Sequence, residues 1–135
     1  MVRKIAKEIL NVLGSPDGEL SICLVDDKEI TELNQKYLHR SHPTDVLAFP
    51  MREGAFSEIN PQLLGDVVIS VETAKRQAEE RGHSLVEEIC FLLIHGILHL
   101  FGYNHEIPTS DAKTMRKKEK ELFHLMREKF ISPKK

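Results

Sequence analysis

The chain has 135 residues and a mass of 15.5 kDa, a length that predicts a single domain over residues 1–135. Hydrophobic residues make up 41% of it and charged residues 30%, with no repeat or low-complexity tract, which excludes a disordered or fibrous chain. The net charge of −2 favours no class of partner by itself. The two cysteines, Cys23 and Cys90, are predicted to be buried free thiols. Because charges interrupt the first ten residues where a signal peptide needs an apolar run, we expect a cytoplasmic protein without a membrane segment.

The first half of the chain alternates helical and strand patterns. Apolar residues at helical spacing predict two helices, and alternating or continuous apolar runs predict four strands. The first helix covers residues 3–13, and the strands cover residues 19–25, 46–49, 55–59 and 65–70. The second helix begins at Asp26 or Asp27, either of which can cap it, and is expected to turn Ile30, Leu33 and Tyr37 inward.

The second half predicts three further helices. The third ends at Arg81 before Gly82, and a Ser84–Glu87 capping box begins the fourth. The fourth is apolar throughout residues 89–101 apart from two histidines and a glycine, which predicts a buried helix too short for a bilayer, since a span takes roughly 20 apolar residues. The last helix runs from residue 109 or 110 to residue 130 and is expected to bury five residues: Met115, Leu122, Leu125, Met126 and Phe130. The fold class is therefore α+β, a small mixed sheet packed with several helices around a central buried helix that carries the histidines.

Three histidines follow one another at metal-ligand spacing in His95-Gly-Ile-Leu-His99-Leu-Phe-Gly102-Tyr-Asn-His105. A helix places His95 and His99 on one face, about 5–6 Å apart at Cβ. Gly102 predicts a helix stop, after which the chain can bring His105 back toward the same point. Buried imidazoles can also bond carbonyls or carboxylates, but a pair followed by a third histidine favours a metal. We predict one zinc ion per chain, bound by His95, His99 and His105 with the fourth position open for water.

The residue after the first histidine indicates which class of zinc site the chain suits. In the peptidase motif His-Glu-x-x-His that position holds the general base, whereas this chain has Gly96, which disfavours a metallopeptidase. A site closed by Glu106 would only brace the fold, and it is disfavoured because structural zinc sites usually contain cysteine.

Charge is unevenly distributed along the chain. Residues 109–135 hold nine Lys or Arg and four acids, a net +5 that leaves −7 for the remainder. A basic last helix either contacts phosphates or is only a solvated face, and the second is the commoner case.

The histidine segment resembles the signature of the YbeY family, His-Gly-x-Leu-His-Leu-x-Gly-Tyr-Asp-His. Two further segments agree with the family in order and spacing: Pro-Thr-Asp-Val-Leu-Ala-Phe-Pro at residues 43–50 and Leu-Gly-Asp-Val-Val-Ile-Ser at residues 64–70. The family comprises bacterial zinc-dependent endoribonucleases of ribosomal RNA maturation. The resemblance implies cleavage of single-stranded or ribosomal RNA, with ribosomal subunits or assembly proteins as further partners. It also implies His95, His99 and His105 as the metal ligands. A non-catalytic, zinc-braced assembly factor is the remaining alternative.

Three positions depart from the family pattern, and at one of them Ala48 replaces a common Ser. Asn104 stands where the family usually has Asp, and Leu38 stands where many members have an arginine linked to activity. Arg40, two residues further on, is our candidate catalytic cation, because a guanidinium can dock a phosphate in two-pronged fashion and neutralise the charge that builds on it.

Overall fold

The protein is described by a computed structural model covering residues 1–50, 63–102 and 110–131, without the side chains of residues 110–112. Within these ranges the chain forms five α-helices, three strands and a final π-helical turn. The helices α1 to α5 span Val2–Val12, Asp27–Leu38, Val71–Arg81, Leu85–Leu100 and Ser110–Met126. The strands β1 to β3 span Glu19–Val25, Val46–Pro50 and Leu63–Ser70, and the π-helical turn spans Arg127–Ile131. The predicted α+β class is confirmed, and the predicted strand at residues 55–59 lies outside the described residues.

The sheet is mixed, in the order β1-β3-β2. The central strand β3 pairs parallel with β1 and antiparallel with β2, and it is buried over almost its whole length. Burial on both faces explains its nearly unbroken apolar sequence. Val67 and Ile69 join the main core on one face, while Val68 packs with Ile30 and Leu47 on the other.

The helix α4 is the centre of the fold, as predicted. It packs against β2, β3, α1, α3 and α5, and ten of its sixteen residues are buried. Its start is fixed by the predicted capping box, since Ser84 Oγ accepts from the Glu87 amide and the Glu87 carboxylate accepts from the Ser84 amide. In the described ranges no single helix is long and apolar enough to cross a membrane; α3 and α4 together meet that test but are bent by 113° at their junction.

Gly96 sets how closely α4 approaches the sheet. A Cβ atom built on Gly96 would lie 2.7 Å from Val67 Cγ1 and 3.3 Å from Val46 Cγ2. Real Cβ atoms do not come within 3.0 Å of another heavy atom, so the helix can sit at this distance only because residue 96 has no side chain.

The two neighbouring aspartates at the start of α2 have different roles. Asp26 is the cap, accepting from the Glu29 amide. Asp27 accepts instead from Ser70 Oγ at 2.6 Å and Thr73 Oγ1 at 2.7 Å, which joins α2 to the start of α3. These hydrogen bonds, with a further one from Arg76, lower the pKa of the Asp27 carboxyl below its usual value.

Three burial predictions were wrong. Tyr37 is 53% exposed, because it lies in the last turn of α2, where its ring meets the half-buried Phe49 edge-on. Leu125 is 41% exposed, because it lies about 100° around the helix from the buried Met126. Cys23 is exposed on β1, which is an edge strand of the described sheet.

The remaining burial predictions hold, although Leu33 and Phe130 are half-buried rather than buried. Cys90 is buried as predicted, and burial raises the pKa of its thiol to about 12, so it is an inert core residue. Phe130 is half-buried and lies in the π-helical turn rather than in α5.

Candidate metal centre

His95 and His99 project from the last two turns of α4 toward one point. Their Nε2 atoms are 3.1 Å apart, and their ring centroids are 4.7 Å apart. Both residues are half-buried, in a helix whose neighbouring residues are almost all fully buried. The stripe that they form with the half-buried Phe91 is therefore the side of α4 that reaches the protein surface.

The separation of the two nitrogens suits a shared cation. Two zinc–nitrogen bonds of about 2.0–2.1 Å at a tetrahedral angle place their nitrogens about 3.3 Å apart. The observed 3.1 Å lies close to that value. Two of the three predicted ligands are thus brought together with the spacing that a tetrahedral metal requires.

Glu119 of α5 contacts His95 from the side away from this point. Its carboxylate forms a short hydrogen bond with His95 Nδ1, and Glu119 is only 7% exposed. In the neutral imidazole, an Nδ1–H donated to the carboxylate leaves the lone pair on Nε2. In this tautomer Nε2 of His95 is free to bind a metal ion at the shared point. In metal sites, a ligating histidine usually donates its other ring N–H to a partner such as a carboxylate.

Glu119 was not among the site residues predicted from the sequence. Its signal was present in the spacing of α5: Glu119 occupies one position of the stripe whose other members, Met115, Leu122 and Met126, are buried. An acid in an apolar stripe must find a partner, since buried carboxylates are rarely left unpaired. The identity of that partner depends on how α5 packs against α4, 24 residues away in sequence.

The third predicted ligand, His105, lies outside the described residues, as do Asn104 and Glu106. The chain leading to it is described as far as Gly102, whose φ of +98° ends α4 in the way that the sequence predicted. In the described part of the chain no group of three or more His, Cys, Asp or Glu side chains is placed to hold a metal ion. The assignment of His105 therefore stays a prediction.

Arg40 lies on an exposed segment just after α2. Its amide donates to the Asn34 carbonyl, and the buried Asn34 side chain donates to the His42 carbonyl at 2.9 Å. His39, the residue before Arg40, adopts a left-handed conformation with φ of 59°. Asn34 thus fixes the backbone on both sides of Arg40. The Arg40 guanidinium makes no ion pair within the described ranges.

Two other acids have structural partners. Asp45 accepts from Gln77 Nε2 at 3.2 Å, and its carbonyl accepts from the Ser70 amide. Glu88 is fully buried in the first turns of α4, where Arg81 donates to it at 2.7 Å. His95 lies seven positions after Glu88 in the same helix, a distance of about 10.5 Å along the helix axis. Glu119 is the acid that the structure places against a predicted ligand.

Comparison with known proteins settles the family. The model of the family described as Endoribonuclease YbeY matches residues 1–127. The chain belongs to the YbeY family. It is 48% identical over 126 residues to the Endoribonuclease YbeY of Geobacter metallireducens, covering 93% of this chain and 84% of that one. It is 48% identical over 120 residues to the Endoribonuclease YbeY of Aquifex aeolicus, covering 87% and 77%.

The fold is also similar to that of a solved structure. The solution structure of TM1509 from Thermotoga maritima aligns with a TM-score of 0.68 at 30% identity, covering 96% of this chain and 81% of that one. The resemblance inferred from three short segments is therefore confirmed over nearly the whole chain. The matched range of the YbeY family includes His95, His99 and Glu119.

Proposed function

We propose that this chain is a cytoplasmic, metal-dependent endoribonuclease of one domain that cleaves single-stranded RNA in ribosomal RNA maturation. One zinc ion per chain is held by His95, His99 and His105. Membership of a family of endoribonucleases supports the reaction. The observation that carries the metal assignment is the 3.1 Å distance between the Nε2 atoms of His95 and His99. The Nδ1 atom of His95 is hydrogen-bonded to Glu119.

The donor set fits zinc in a catalytic rather than a structural site. Imidazole nitrogens are ordinary zinc ligands, and three of them leave a fourth position open. When bound, the ion supplies Lewis-acid chemistry that acidifies water and polarises a phosphoryl oxygen. The described residues contribute orientation: Glu119 holds the His95 ring and its tautomer, and the buried body of α4 holds both rings on one side.

The peptidase alternative gains no support from the geometry. A peptidase of the His-Glu-x-x-His type needs a carboxylate directly after the first ligand. Here that position is Gly96, where even a Cβ would lie 2.7 Å from Val67 Cγ1. No acidic side chain can stand there unless α4 moves away from the sheet.

The proposed function is tested with the purified protein on four substrates of matched concentration: a labelled single-stranded oligoribonucleotide, its duplex, the DNA of the same sequence, and casein. We expect cleavage of the single-stranded RNA, its loss on chelation, and its recovery on adding zinc. Cleavage of casein with the RNA intact would establish a peptidase. No turnover on any substrate, together with unfolding on chelation, would establish a metal that only braces the fold.

Arg40 is proposed as the cation that neutralises charge on the scissile phosphate. We expect Arg40→Ala to lower kcat on RNA about 10- to 100-fold with bound zinc unchanged, since a charge-assisted hydrogen bond contributes about 1.5–3 kcal/mol. Lys36→Ala, which removes an exposed cation from the same helix end, is the control and should keep full activity. Equal kinetics for the Arg40 variant and the control would show that Arg40 is only a solvated surface residue.

A further inference from the structure

Four cations line one face of α5, the helix that supplies Glu119. Lys113, Arg116, Lys117 and Lys120 stand at positions i, i+3, i+4 and i+7, which places them in a row on the helix surface. All four side chains are exposed. We call this row the basic stripe; it extends about 10.5 Å along the helix axis.

Among the described residues the basic stripe has no acidic partners, unlike the cations around it. The other cations of residues 113–131 are paired with carboxylates: Lys118 with Glu121, Arg127 with Glu87, and Lys129 with Glu8. Within the described part of the chain, no member of the basic stripe forms an ion pair, although the protein carries 21 acidic residues. Four like charges at helical spacing repel one another, and this destabilises the isolated helix slightly.

The same helix links the basic stripe to the metal ligands. Glu119 lies one turn after Arg116 on α5 and bonds to His95. Because Met115, Leu122 and Met126 anchor the opposite side of α5 in the core, the helix cannot rotate freely about this contact. The cations therefore hold a fixed position relative to His95.

We propose that the basic stripe binds the phosphodiester backbone of the single-stranded RNA substrate on the outer face of α5, opposite the side that contacts His95. This inference rests on the proposed function, because the substrate is taken to be RNA. Charge complementarity identifies the occupant: lysines and an arginine in a row, with no ion pair to the described residues, suit a chain of regularly spaced anions, and such contacts supply sequence-independent affinity. The net +5 of residues 109–135 against −7 elsewhere directs a polyanion to this part of the molecule.

The test compares two quadruple variants of the zinc-loaded protein. The stripe variant carries Lys113→Gln, Arg116→Gln, Lys117→Gln and Lys120→Gln. The control carries glutamine at four exposed lysines on other helices: Lys4, Lys7, Lys28 and Lys75. Both lose four positive charges, so an effect of net charge alone is the same in each. The probe is a labelled 2′-O-methyl phosphorothioate oligoribonucleotide, which keeps every backbone charge and resists cleavage.

We expect the stripe variant to bind the probe at least about tenfold more weakly than the control. We also expect the slope of log K against log salt to become shallower by about 2.8, that is about 0.7 for each lost phosphate contact on a single strand. Replacing Lys113, Lys117 and Lys120 by arginine should preserve both quantities. An unchanged melting temperature in the stripe variant shows that the fold is intact.

Two outcomes overturn the proposal. One is equal affinity and equal salt slope for the stripe variant and the control. The other is normal RNA binding with lost binding to poly-L-glutamate, which would assign the face to an acidic protein. Cleavage by the unmodified protein is measured separately, so failure of the proposed function appears there and failure of the basic stripe appears in the binding data.

Discussion

His99→Ala is expected to abolish zinc binding and RNA cleavage together. The substitution removes one of the two Nε2 atoms that lie 3.1 Å apart, so the remaining imidazoles no longer form a three-nitrogen site. Zinc per chain is measured by elemental analysis after dialysis, and cleavage is measured on the single-stranded oligoribonucleotide. The control is His124→Ala, because His124 is an exposed histidine of α5 that pairs with Glu128 on the protein surface. A His99 variant that retains one zinc per chain and full activity would contradict the ligand assignment.

Two substitutions of Glu119 are expected to weaken zinc binding to different degrees. Glu119→Leu removes the acceptor of the His95 Nδ1–H, and loss of such a partner typically lowers metal affinity about 10- to 100-fold. Glu119→Gln keeps an acceptor oxygen but loses the charge, so its zinc affinity should lie between those of the Leu variant and the unmodified protein. If both variants bind zinc as tightly as the unmodified protein, the contact with His95 serves only the packing of α5 on α4.

Gly96→Glu is expected to prevent folding rather than to create a peptidase. The Cβ alone would lie 2.7 Å from Val67 Cγ1, and the carboxylate would be pressed against the apolar core between α4 and the sheet. Overpacking costs about 1–3 kcal/mol, and an uncompensated buried charge adds several more, which together approach the whole stability of a small domain. Denaturant unfolding monitored by circular dichroism measures the effect, with the fraction of soluble protein as a second readout.

A smaller substitution isolates the contact between Gly96 and the sheet. Gly96→Ala should destabilise the unmodified background, although alanine is favoured over glycine in a helix by about 1 kcal/mol. In a Val67→Ala background the methyl group has room, so the same change should become neutral or stabilising. Equal effects in the two backgrounds would mean that Val67 does not limit the approach of α4.

The central helix and its two histidines could be predicted because their signals are local. The capping box of Ser84 and Glu87 and the long apolar run define α4 without tertiary information. The i, i+4 spacing fixes His95 and His99 on one face. Gly96 was correctly interpreted as the absence of a peptidase base, but the reason for the glycine, a close approach to Val67, depends on the packing of helix on sheet.

The features that the sequence did not reveal arise from contacts between distant elements. Glu119 meets His95 because α5 packs across α4, and no spacing within α5 names that partner. Tyr37 and Leu125 were predicted to be buried because they fit an apolar helical period, yet Tyr37 lies in the last turn of α2 and Leu125 lies to one side of the buried face of α5. Periodicity predicts which face of a helix is apolar, but not how far along that face the neighbouring elements extend.

The most direct measurement of the central claim is zinc K-edge X-ray absorption on the purified, zinc-loaded protein. Three imidazole nitrogens and one light solvent ligand, at about 2.0–2.1 Å, are the expected result. In the His99→Ala variant, the number of imidazole ligands should fall to two or fewer, or the zinc should be lost. A four-coordinate shell made only of protein ligands, or any sulfur scattering at about 2.3 Å, would contradict an open three-histidine centre.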